Sequence, residues 1–288
     1  MSIEPKNTIG IIALSGNCDK EKIQKSKQYF ESLGFNIKLS KNIYDSNRYL
    51  AGSDEDKIEE LHKFFQDKEI KLILCARGGY GSIRLINNID YKVIKNNPKP
   101  FCGFSDVTAL LTMIYKKTGL ITYHSPMACS DFADDIDKFT QENFFKAINN
   151  DDLIFESENI YETGTAKGIL WGGNLATLTS LCGQDFIPNR DFIFFTEDIN
   201  EPVYKIDKMF QQLINISQFK HNCKGIVVGD FIGIDNNAWL EEFLCELSSK
   251  MSLPMIRINS ITHSKQKITL PIGRIAEIQQ NKLVVKNR

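Results

Sequence analysis

The sequence has no C-x-x-C pair, no apolar run of membrane-spanning length and almost no net charge. Its seven cysteines, Cys18, Cys75, Cys102, Cys129, Cys182, Cys223 and Cys245, are odd in number and scattered. Several sit inside apolar runs such as "LILCA" and "FLCEL", where cysteine acts as a small buried hydrophobe. This argues against a disulfide framework and a zinc site, and for a reducing compartment. The opening MSIEPKNTIGIIAL shows no basic stretch followed by a long apolar segment and a small-residue cleavage site. The expected address is therefore the cytoplasm. A formal charge of −1 gives no global field to draw nucleic acid or an anionic membrane. Local lysine runs such as Lys20–Lys27 read as solvated helix faces.

What is present is an ordinary globular composition, 42% hydrophobic and 25% charged over 288 residues, enough for two domains. "TIGIIAL" (8–14), "NIKL" (36–39), "IKLILCA" (70–76) and 99–104 read as strands. Between them lie amphipathic helices, one capped by Asp19 and ending at Gly34, one capped by Ser53 with acids in its first turn. This alternation predicts an α/β fold whose N-terminal half is a Rossmann-like parallel sheet covered by helices. The acidic stretch 128–163 loses the rhythm and is expected to be a helix plus a connection. The expected domains are 1–150 and 164–288, the second smaller and mixed α/β with short terminal β runs.

Chemistry concentrates in a few places. In "KPFCGFSDVTALL" (99–111) a serine, Ser105, stands where a buried strand turns into a helix. Such junctions display nucleophiles, although the usual spelling is G-x-S-x-G. An N-cap role is the rival reading. "ARGGYGS" (76–82) is a glycine turn after a strand that brings backbone N–H groups close to an anion. It is neither a P-loop nor a dinucleotide fingerprint. In "WGGN" (171–174), Asn174 is either a site residue or a helix cap. The four histidines are His62, His124, His221 and His263, the last in a polar loop between two β runs. Glu197 and Asp198 emerge at the end of the apolar strand Phe192–Phe195, where open α/β sheets build sites.

Six strings occur together in order: "CARGGYGSIRLINNID", "KPFCGFSDVTALLTMIYKKTGLITYHSPM", "GILWGGNLATLTSLCG", "IFFTEDINEPVYKIDKMFQQL", "GIVVGDF" and "LPIG". In order and spacing they resemble the L,D-carboxypeptidase family, serine peptidases that include the microcin C self-immunity enzymes. The resemblance spans nearly the whole chain. It implies a Ser–His–Glu triad of Ser105, His263 and Glu197, with Asp106 giving an oxyanion N–H. Gly78 or Gly79 would give the second, because two convergent donors are the usual requirement. Departures from the family pattern are Thr196 before the acid, Ser264 after the histidine and Leu14-Ser15 in place of Pro-Ser.

The implied reaction is cytoplasmic removal of the terminal D-alanine from murein tetrapeptide, without metal or cofactor. The active site would lie between the two halves. Arg77 and Arg84 are candidates to meet the substrate carboxylate, and strand alternation sends Glu197 and Asp198 to opposite sides. The expected partners are the murein peptide and a second copy of the chain, with neither nucleic acid nor membrane. The alternatives are a microcin C-type self-immunity peptidase, which the short chain and two tryptophans disfavour, and a catalytically silent α/β ligand-binding protein.

Overall fold

Strand and helix alternate through the first half of the computed structural model, which describes residues 3–287. The chain divides into two units. One runs to Asn150 and takes in Ile268–Pro271; the other holds Asp151–Lys267 and the chain from Ile272 on.

In the first unit the elements are β1 (Thr8–Ile12), α1 (Lys20–Ser32), β2 (Asn36–Leu39), α2 (Asp54–Gln66), β3 (Ile70–Cys75), α3 (Tyr91–Asn96), β4 (Phe101–Gly103), α4 (Thr108–Thr118), β5 (Thr122–His124) and α5 (Lys138–Ile148). Asp19 caps α1 by accepting the Lys22 amide at 3.0 Å, and Ser53 caps α2 through the Asp56 amide at 3.1 Å. The sheet order is Leu270–Ile272, β5, β4, β3, β1, β2. β1 pairs in parallel with both β2 and β3, so the order reverses between β1 and β3. Ligands of open parallel sheets bind at such a switch point, beyond the C-terminal strand ends.

The second unit contains β6 (Leu153–Glu156), β7 (Asn159–Glu162), β8 (Thr165–Asn174), α6 (Leu175–Ser180), β9 (Phe192–Ile199), α7 (Val203–Ile214), α8 (Ser217–Asn222), β10 (Cys223–Ile232), α9 (Asn237–Met251), β11 (Met255–Arg257), β13 (Ile275–Gln279) and β14 (Lys282–Val285), with β12 naming the Leu270–Ile272 strand. Its eight strands run β6, β14, β13, β8, β9, β10, β11, β7. β8, β9, β10 and β11 are parallel, with antiparallel strands on both sides of them. Trp171 on β8 is fully buried, its ring within 5.0–6.4 Å of Phe186, Phe192, Phe194 and Phe219.

Two features differ from the sequence reading. Residues 151–163 are not a connection: β6 and β7 are edge strands of the second sheet. Ile268–Pro271 joins the first unit although it lies late in the chain. Among the described residues no helix is long and apolar enough to cross a membrane.

Candidate active site

Ser105 opens a single 3-10 turn, Ser105–Val107, between β4 and α4. Its φ is 60°, a left-handed conformation that costs a non-glycine residue about 1–3 kcal/mol and clusters at functional sites. The N-cap of that turn is Phe104 and that of α4 is Val107. Ser105 holds neither cap position. Its left-handed backbone is that of a strand-to-helix elbow.

The glycine turn after β3 borders the same hydroxyl. A Cβ on Gly78 would stand 2.9 Å from Ser105 Cβ, 3.0 Å from Ser105 Oγ and 3.5 Å from the Asp106 amide nitrogen. Only a residue without a side chain fits there. Gly79, at φ 108°, continues the turn. The Gly16 amide donates to the Gly78 carbonyl at 3.1 Å, which joins the β1 and β3 loops at the switch point.

The buried Asp106 does more than offer its amide. Its Oδ2 accepts the Ser82 amide at 2.9 Å, and Ser82 Oγ lies 2.8 Å from Ser15 Oγ. The elbow, the glycine turn and the first loop are thus tied side chain to backbone. Ser82 carried no signal in the sequence beyond ending the glycine turn. Arg77 is exposed and donates from Nη1 to the Asn17 carbonyl at 3.1 Å. Arg84 is taken by Asp54, its Nε and Nη2 lying 2.8 and 2.7 Å from Asp54 Oδ2.

The second unit pairs a carboxylate with an imidazole. Glu197, near the end of β9, is fully buried, and its Oε2 lies 2.5 Å from His263 Nδ1. The His263 side chain is 12% exposed. A carboxylate on Nδ1 fixes the tautomer and orientation of the ring. The loop bearing His263 is held against β10. The Ile258 amide donates to the Val228 carbonyl at 2.8 Å and the Asp230 amide to the Ile261 carbonyl at 2.8 Å. Thr262 Oγ1 lies 3.2 Å from Asp230 Oδ2. This approach requires Gly229, where a Cβ would come 2.3 Å from the Ile261 carbonyl oxygen.

Asp198 has a different task. Its Oδ1 accepts Asn174 Nδ2 and the Ile199 amide, and its Oδ2 the Ala176 amide, each at 2.8 Å. Burial first, then the neighbouring Glu197 charge, pushes its pKa up to about 6. Asn174 Oδ1 meanwhile caps α6, accepting the Thr177 amide at 3.0 Å. The Asn174 amide thus bridges the Asp198 carboxylate and the first turn of α6. Glu201 lies 3.3 Å from Lys205 Nζ.

The other histidines are placed otherwise. His62 Nε2 accepts the Asp90 amide at 3.0 Å. His124 is buried edge-on to Phe104, with centroids 5.8 Å apart. His221 lies within α8.

A family profile described as the LD-carboxypeptidase N-terminal domain matches residues 9–125. Its companion, the LD-carboxypeptidase C-terminal domain, matches residues 167–278. The chain belongs to the LD-carboxypeptidase family. The "Probable murein peptide carboxypeptidase" of Bacillus subtilis is 35% identical over 278 residues, covering 93% of this chain and 87% of that protein. Among solved structures, the MccF-like protein from Bacillus anthracis has a TM-score of 0.91 at 26% identity, covering 100% of this chain and 99% of the other. The muramoyltetrapeptide carboxypeptidase from Oxalobacter formigenes has a TM-score of 0.88 at 26% identity, covering 97% and 98%. These matches bear out the resemblance and make the chain a peptidase of two-domain α/β fold. The LD-carboxypeptidase profiles take in Gly78, Ser105 and Asp106 in one domain and Glu197 and His263 in the other.

Proposed function

We propose that this LD-carboxypeptidase family member removes the terminal D-alanine from murein tetrapeptide, cutting the amide that joins it to the L-centre of the diamino acid. The observation that carries the reading is the left-handed backbone of Ser105 in the β4–α4 turn, with Gly78 against its hydroxyl. The paired His263 and Glu197 supply the other two members of a triad, and the relatives named for murein peptides supply the substrate class.

In this mechanism His263 Nε2 takes the Ser105 proton as Oγ attacks the carbonyl carbon. The Asp106 amide and a glycine-turn amide hold the oxyanion. Collapse expels D-alanine, whose nitrogen receives the proton from His263. Water then enters by the same base and releases the tripeptide acid, restoring Ser105. Arg77 is the cation we assign to the substrate carboxylate, because Arg84 is committed to Asp54. The reading carries with it a cytoplasmic address and a second copy of the chain as partner.

Likeness to the MccF-like structure favours one second reading, cleavage of a peptidyl-nucleotide antibiotic. A nucleobase needs an exposed aromatic face. Trp171 cannot give one, being enclosed by phenylalanines, and Trp239 stands exposed on α9. Mass spectrometry of purified murein tetrapeptide incubated with the protein decides the matter. The murein reading expects the loss of one alanine residue. An unchanged tetrapeptide, with cleavage of an aminoacyl sulfamoyl nucleoside instead, would overturn it.

A further inference from the structure

Lys57, in the first turns of α2, is fully buried. A helical lysine ordinarily lays its stem along the surface and keeps its ammonium in water. An enclosed ammonium is costly unless it is paired. The Lys57 Nζ lies 2.9 Å from Asp54 Oδ1, and among the described residues no acceptor is aligned for a hydrogen bond with it. Asp54 is shared. Its Oδ2 takes Arg84, with Nη2 at 2.7 Å and Nε at 2.8 Å. Two cations divide one carboxylate, so the cluster carries an excess of positive charge.

The cluster borders the glycine turn. A Cβ on Gly81 would meet Leu50 Cδ2 at 3.0 Å, the Ser15 carbonyl oxygen at 3.4 Å and Lys57 Nζ at 3.5 Å. One end of the turn is hooked at Gly78 by the Gly16 amide. The other is hooked at Ser82 by Asp106 and Ser15. Between them Gly79 and Gly81 stand at φ 108° and 139°, where only glycine moves freely. The middle of the turn therefore has its loosest backbone, and that part rests on Leu50 and Lys57.

We propose that Lys57 is a positioning residue for the oxyanion-binding turn, its enclosed charge fixing residues 79–81 and so the amides offered beside Ser105. A cation draws a peptide carbonyl toward itself, and the N–H across the same planar peptide then points away. The charge thus sets which side of the turn presents donors. Positive potential in a water-excluded interior also favours a developing oxyanion over the neutral carbonyl it comes from. Loss of the charge is therefore felt in the transition state more than in substrate binding. The inference rests on the reading of Ser105 as nucleophile with a glycine-turn amide as oxyanion donor.

The full chain is labelled with a fluorophosphonate, whose attack by a serine nucleophile builds negative charge on the phosphoryl oxygen, and the rate is read by mass spectrometry. Lys57→Met fills the space without charge, and Asp54 keeps Arg84, so no bare buried carboxylate is left behind. Ser105 in Lys57→Met should label at least about tenfold more slowly than in the wild type, with circular dichroism unchanged. Lys57→Arg, which restores the charge, should label within about threefold of the wild type. On murein tetrapeptide the kcat of Lys57→Met should fall by a similar factor while KM stays within about twofold. A wild-type labelling rate in folded Lys57→Met, or a folded Lys57→Arg as slow as Lys57→Met, would overturn the proposal. Lys57→Gln is the second neutral variant; if neither neutral variant folds, Lys57 serves stability and the positioning role falls. A wild type that takes no label on Ser105 fails the nucleophile reading and this inference with it. A labelled wild type beside an unimpaired Lys57→Met fails this inference alone.

Discussion

At the scale of single residues, the chemistry depends on which carboxylate faces His263. Glu197 and Asp198 are neighbours on β9 and both are buried, yet strand alternation sends them to opposite sides. Glu197 meets His263, while Asp198 accepts three donors around the start of α6. Glu197→Gln keeps the shape of the side chain but puts an amide against the imidazole, which then holds the wrong tautomer. In the Ser–His–Asp template the equivalent change costs about four powers of ten in kcat. We expect a loss of that order for Glu197→Gln in a tetrapeptide turnover assay, and less than about tenfold for Asp198→Asn. Equal losses from the two would contradict the assignment.

Asp198 also predicts a dependence of stability on pH. Its folded pKa, about 6, lies above its ordinary 3.8, so the folded state binds this proton more tightly than the unfolded chain. A raised carboxyl adds stability that is complete below the unfolded value and is lost as pH rises through the folded one. The wild type should therefore lose stability relative to Asp198→Asn between about pH 4 and pH 6. Urea midpoints of the two proteins across that range check this. A difference that does not vary with pH would show that Asp198 is ionised without penalty.

At the scale of elements, the legible parts were those whose physics is local. The Asp19 and Ser53 caps, and the glycine that follows α1, follow from side-chain chemistry within one turn. β3 is apolar at every position but Lys71 because both of its faces are covered. What was illegible depends on distant pairing. β6 and β7 are short and partly exposed, and they are strands only because β14 and β11 lie beside them. The His263 loop is a similar case. "NSITHSKQK" reads as polar and irregular, and nothing local shows that β10 holds it through Val228 and Asp230. The clue was Gly229 in "GIVVGDF", whose need for space appears only once Ile261 is in place.

That close approach gives a prediction for the element. Gly229→Ala puts a methyl 2.3 Å from the Ile261 carbonyl, so the loop must move and take His263 off Glu197. We expect kcat to fall at least tenfold with KM changed far less, while far-ultraviolet circular dichroism stays that of the wild type. Unaltered kcat would mean that the loop tolerates the shift.

At the scale of the whole molecule, the family was what the sequence made most legible, because blocks far apart in the chain matched it together. Asn174, read beside its glycine pair as a site residue or a cap, does cap α6. For Asp106 no pattern revealed that its carboxylate fixes the Ser82 amide. The central claim is that Ser105 is the nucleophile. Its most direct test is the kcat of Ser105→Ala on murein tetrapeptide, with circular dichroism to confirm the fold. A lost nucleophile leaves only the oxyanion donors and binding, so the account predicts a fall of several powers of ten with little change in substrate affinity. Retention of more than about a tenth of the wild-type kcat would contradict it, because the chemistry would then run without the hydroxyl.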